Sequence, residues 1–173
     1  MKGESFSFSV PVARIASGGK HFSIAPDAGE RSAIAETLGI VEVSSLIAEV
    51  HVRPVGAEAF AVKGALAAAV VQTDVVTLEP VQQGVSEEID LMLLPADDIR
   101  PKRDAAEQEA VDDRDVYRGG KIDLGAIVVE HLALGLDPYP RSPGVEFPGH
   151  IESVEEPESS PFAALANFKP KQQ

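Results

Sequence analysis

Four histidines, His21, His51, His131 and His150, are the side chains here best suited to act as bases or metal ligands near neutral pH. None lies at metal-ligand spacing from another. The chain has no cysteine, which removes disulfides and thiolate metal sites. The acidic pairs Asp97-Asp98 and Asp112-Asp113 lack the glycine and the spacing of a calcium loop. Asp74 and Glu79 could be read as a carboxylate pair, but residues five apart on a strand point to opposite faces. No nucleophile–base pair or metal cluster is recognisable. The expectation is no catalytic residue, no cofactor and no metal, with an enzyme built on an unfamiliar site as the alternative.

Composition narrows the partners. The 173 residues carry 28 acidic and 15 basic side chains, a net charge of −13. A field of that sign repels phosphate backbones and steers basic partners inward. Two tyrosines, no tryptophan and no basic stripe argue against a nucleic-acid stacking surface. No apolar run approaches the roughly 18 residues that span a bilayer. The opening MKGESFSFSV lacks the apolar core of a signal peptide. The protein is expected to be cytoplasmic and free of membranes.

The elements that would position any site follow from periodicity. Phe6, Phe8, Val10 and Val12 alternate with serines and Pro11, and Phe22 and Ile24 alternate after Gly18-Gly19. Together they predict an N-terminal hairpin. Asp27 and Glu30 form a capping-box pattern before a short helix, Ala28 to Leu38, that Gly39 stops. A strand from Ser45 to Arg53 has one wet face. The stretch from Val62 to Pro80 has strand character and two largely apolar rows, which predicts an inner strand covered on both sides. A strand from Val85 to Leu94 follows, and the short connections favour an antiparallel meander. Lys121 to Asp137 reads as a second helix, with Asp123 as its cap and Pro138 as its stop. Leu124, Val128, Leu132 and Leu136 recur every four residues, with Ile127 and Leu134 widening the face.

Two of these stretches resemble the signatures of the YceD family, the bacterial large ribosomal RNA subunit accumulation proteins. The first is Gly64, an apolar strand, then Leu78, Glu79 and Pro80. Asp74 and Thr77 stand where the family has two cysteines. The second is Ile122, Asp123 and Leu124, then Glu130, Leu132, Leu134 and Leu136, with Pro138 and Pro140 at the exit. The resemblance implies an accessory role in accumulation of large-subunit ribosomal RNA. A cysteine-borne metal or redox bond is ruled out here by Asp74 and Thr77.

The fold class expected is α+β: an antiparallel sheet of about five strands, open to curling into a partial barrel, packed with two helices. Residues 1–142 would form one domain. Residues 95–118 are dense in charge and read as a mobile loop. Residues 143–173 read as a disordered acidic tail. That tail ends in PFAALANFK, where Phe162, Leu165 and Phe168 recur at three-residue intervals. They would either form a short amphipathic docking motif or fold back on the domain.

The candidate binding residues are Asp74, Thr77, Glu79, Glu130, His131, Arg141, Phe162, Leu165 and Phe168. Asp123 is most simply a cap. For His131 the simpler reading is a ring donating to a backbone carbonyl. The expected partner is a basic ribosomal protein or assembly factor. The two signatures lie far apart in sequence, so a shared surface requires the fold to bring them side by side.

Overall fold

The computed structural model describes residues 6–96 and 115–144. The chain divides into two compact units, Met1–Ser142 and Pro143–Gln173. All the elements below belong to the first. They are β1 (Ser9–Pro11), a 3-10 turn (Val12–Arg14), β2 (Lys20–Ile24), α1 (Ala28–Leu38), β3 (Glu42–Val55), β4 (Ala59–Thr73), β5 (Pro80–Pro95), β6 (Asp115–Tyr117), β7 (Lys121–Asp123) and α2 (Leu124–Leu134).

Five strands make the main sheet, in the order β2-β3-β4-β5-β6. The expected α+β class holds, with two corrections. β6 runs parallel to β5, pairing Leu93–Pro95 with Asp115–Tyr117, so the sheet is mixed. The described strands do not close into a barrel. β6 also falls inside the stretch read as a mobile loop. Tyr117 explains its order: its ring packs edge-on against Phe60, and its hydroxyl donates to the Glu58 carbonyl at 2.8 Å. The central part of that loop lies outside the described residues, as does the tail beyond Gly144.

Both helices bury one face of this sheet. Leu46, Ala48, Val50 and Val52 of β3, Val62, Leu66 and Val70 of β4, and Val85, Ile89 and Leu93 of β5 all point inward and are buried. They meet Ile34 and Ala35 of α1 and Leu124, Val128 and Leu132 of α2. Each Val, Leu or Ile among them contributes about 1.5–3 kcal/mol on removal from water. The opposite face is open. Ala65, Ala67 and Ala69 of β4 are exposed, so the inner strand is covered on one side, not two. Their small apolar side chains mimic a buried row in the sequence while exposing little surface.

Gly64 is required by backbone proximity. A Cβ at this position would collide with the Glu49 carbonyl oxygen and lie 2.9 Å from Val50 Cα on β3.

The N-terminal hairpin does not form. β2 pairs with β3, whereas β1 pairs antiparallel with β7 in a separate two-stranded sheet. Two contacts capture β1 there: Phe8 N–H donates to Asp123 Oδ1 at 3.0 Å, and Leu124 N–H donates to the Phe8 carbonyl at 3.0 Å. α1 matches its sequence reading, with the reciprocal Asp27–Glu30 capping box and Gly39 in the left-handed region at φ 66°. α2 is shorter than expected. Lys121–Asp123 is strand, and the helix ends at Leu134, which is 75% exposed and does not widen the apolar face.

Candidate functional site

Propensity reads Thr73 to Thr77 as strand because Val75, Val76 and Thr77 are β-branched. The structure turns there instead. β4 ends at Thr73, Asp74–Glu79 forms the hairpin loop, and Pro80 opens β5 opposite Thr73. Proline is tolerated as the first residue of a strand. The cause of the turn is the Asp74 side chain. Its Oδ1 accepts the N–H groups of Val76 at 2.7 Å and Thr77 at 3.0 Å. The Asp74 carbonyl accepts Leu78 N–H, and Asp74 N–H donates to the Glu79 carbonyl at 2.8 Å, closing the loop. Asp74 and Glu79 are thus adjacent through backbone, which corrects the picture of two carboxylates on opposite strand faces.

The same carboxylate reaches across the fold. Its Oδ2 accepts Ser142 N–H at 2.6 Å, while Val75 N–H donates to the Pro140 carbonyl at 3.0 Å. Beside it, Gln72 Nε2 donates to the Asp137 carbonyl at 3.0 Å. Gln83 donates to the Gly135 carbonyl at 3.1 Å and accepts Asp137 N–H at 3.2 Å. The hairpin and the exit from α2 are therefore stitched together over residues 135–142. Asp74 is fully buried. The N–H groups of Thr77, Ser142 and Val76 hold its carboxyl well below the usual carboxylate range, outweighing the opposing effect of burial.

This clamp leaves apolar side chains facing outward. Leu78 is 76% exposed and Tyr139 71% exposed, with Val75 beside them. Leu78 also holds φ 61°, the left-handed region that non-glycine residues rarely occupy. Val41 N–H donates to the Val71 carbonyl, which places exposed Val41 at the same end of the sheet. Exposed Glu79, Asp137 and Arg141 carry the nearby charge.

The expected binding residues separate into groups. Asp74, Thr77, Glu79 and Arg141 converge here. Thr77 is exposed, and its Oγ1 accepts Glu79 N–H at 3.3 Å. Glu130 lies elsewhere. It lines an open cleft of about 480 Å³ with Leu93, Tyr117 and Lys121, and a groove of about 270 Å³ with Phe6 and Leu38. His131 is half-buried, and its Nδ1 lies 3.0 Å from the Ile127 carbonyl, to which it donates. Phe162, Leu165 and Phe168 lie outside the described residues. Sequence reasoning missed Gln72, Gln83, Asp137 and Ser142, whose partners are more than fifty positions away.

It also missed a second feature. His21 and His51 pair across β2 and β3, and their rings stack at 4.1 Å. Stacked rings do not converge their nitrogens on one point. No group of three or more His, Cys, Asp or Glu that could hold a metal occurs among the described residues. No described helix is long and apolar enough to cross a membrane.

The hairpin and the α2 exit are where the two recurring sequence signatures meet, and they fall within a match to known proteins. A family model described as large ribosomal RNA subunit accumulation protein YceD matches residues 62–169. The chain belongs to the YceD family. No curated protein and no solved structure matches it. The matched range begins in β4 and runs through the hairpin, β5 and α2, and it takes in the Phe162–Phe168 motif. The family description names a role in accumulation of the large ribosomal RNA.

Proposed function

We propose that this protein is a non-enzymatic accessory factor in large ribosomal subunit assembly. It would dock a basic ribosomal protein or assembly factor through the surface made by the Asp74–Glu79 hairpin and the α2 exit. The observation that carries this reading is the Asp74 clamp. It spends a buried carboxylate on holding two distant family signatures together, and the product is a loop that presents Val75, Leu78 and Tyr139 to solvent. Exposed apolar side chains ringed by charge suit a protein interface. A partner bearing basic groups complements Glu79, Asp137 and the net charge of −13. The complete burial of Asp74, with both oxygens accepting backbone N–H groups, also supports a structural role over catalysis.

The test is complementation in a strain deleted for the gene. Glu79→Lys is expected to fold normally and to lower large-subunit ribosomal RNA relative to wild type. Glu130→Lys, in a different recess, is the comparison and is expected to restore it. Full restoration by Glu79→Lys at equal protein abundance would remove this surface as the site.

A further inference from the structure

β4 is bonded to β5 from Thr73–Pro80 to Phe60–Leu93, but β6 covers only Leu93–Pro95 on the other side of β5. Along Val81 to Met92 no described strand lies beside the outer edge of β5. The α2 exit does not cover that edge. Gly135 sits against the side chains of Val85 and Glu87, which belong to the inward row, and so lies over the sheet face. Alternate residues of an antiparallel strand direct their N–H and C=O groups to its free side. A run this long is a template for another strand.

We propose that the outer edge of β5 from Val81 to Met92 accepts an extended segment of a basic protein as an added strand. The proposal rests on the reading above that the partner is basic, and it names how that partner is held. Charge selects the occupant. On the open face this strand carries Glu88 and Asp90, while Glu87 is half-buried on the opposite, inward row. Asp90 is paired with Lys63 at 2.8 Å, whereas Glu87 and Glu88 have no basic partner among the described residues. An added strand with Lys or Arg at every second position would set those cations beside Glu88. Its alternate apolar residues would extend the inward row past half-buried Leu91 and Val81. A second copy of this chain is the wrong occupant. Antiparallel self-pairing would set like charges against one another between chains that each carry −13. The edge also starts at Pro80, directly after the exposed hairpin, so one partner can reach both.

The experiment uses the full chain and a synthetic peptide of about twelve residues that alternates lysine and valine, the pattern of strand addition. A second peptide is N-methylated at every residue, which removes the donors on both of its edges. Amide exchange is followed by mass spectrometry, with Glu88→Lys as the variant. The unmodified peptide is expected to slow exchange within residues 81–92 about tenfold at saturation, the methylated peptide to lose that protection, and Glu88→Lys to weaken it. Equal binding of the methylated peptide would show charge attraction without strand addition and overturn the proposal. Protection of residues 81–92 by dimerisation without peptide would overturn it in favour of a second copy. No ribosome is involved in this assay. A Glu79→Lys strain with normal ribosomal RNA therefore sinks the assembly reading and leaves this test standing.

Discussion

At the start of α2 the Asp123 carboxylate is divided between its own helix and a distant strand. Its Oδ1 accepts Ala126 N–H at 3.2 Å and Phe8 N–H at 3.0 Å, and its Oδ2 accepts Ser7 Oγ–H at 2.6 Å. At the exit from α2 the Asp74 carboxylate is fully buried and takes backbone N–H groups from its own turn and from Ser142. Both aspartates tie segments far apart in sequence to one helix. They differ in what they leave behind. Asp123 sits among groups that water can partly replace, and its end of α2 offers an open cleft. Asp74 has no such substitute, and its end offers a strained loop with exposed apolar side chains. A cap at one end secures the fold, while the clamp at the other holds a surface in a shape the local sequence does not favour.

The largest expected effect is Asp74→Ala. It strands three N–H groups without an acceptor, so chemical denaturation should show a greater stability loss than for any other single change considered below. Asp74→Asn should fall between, because its carbonyl oxygen still serves Val76 and Thr77 while its NH2 faces the Ser142 donor. Acid sharpens the contrast. The folded-state titration of Asp74 is depressed, so its stabilising contribution is fully present above an unfolded-state value of about 3.9 and is lost as pH falls below it. The gap in urea midpoint between wild type and Asp74→Asn should therefore narrow from pH 7 toward pH 2.5. A constant gap would mean that the carboxylate charge is not what holds the clamp.

Asp123→Ala should be milder, about 0.5–2 kcal/mol in denaturation, the ordinary cost of losing a helix cap. It should also raise amide exchange at Phe8 and leave the hairpin amides unchanged. Spread of the effect to residues 74–79 would show that the two ends are coupled, not separate. Leu78→Gly should have the smallest effect on stability and the opposite sign. Releasing a left-handed leucine is expected to be neutral or to add up to about 1 kcal/mol. Destabilisation would mean that the leucine side chain packs on the fold.

The contrast between the two ends also marks what the sequence could express. The Asp27–Glu30 box, the Gly39 stop and the Asp123 cap are local codes, written within a few residues and confirmed where they stand. The alternating faces of β3 and β5 were legible for the same reason, because burial on one face imposes a period of two. The hairpin was not legible. Val75, Val76 and Thr77 favour strand, and the turn that overrides them depends partly on Ser142 and Pro140, which local patterns do not link to Asp74. The pairing of β1 with β7 and not β2 has the same origin, since its alternation says that it pairs but not with which strand. The meeting of the two signatures was anticipated only as a requirement of a shared surface, and Glu130 does not join them.

On the proposed reading, the clamp presents Leu78 for binding, not for folding. Leu78→Gly separates the two, since it keeps every backbone bond of the turn and deletes only the exposed side chain. The decisive measurement is the level of large-subunit ribosomal RNA in a deletion strain carrying this variant at wild-type abundance. A stable protein that fails to restore that level is the expected result. Full restoration by Leu78→Gly would contradict it.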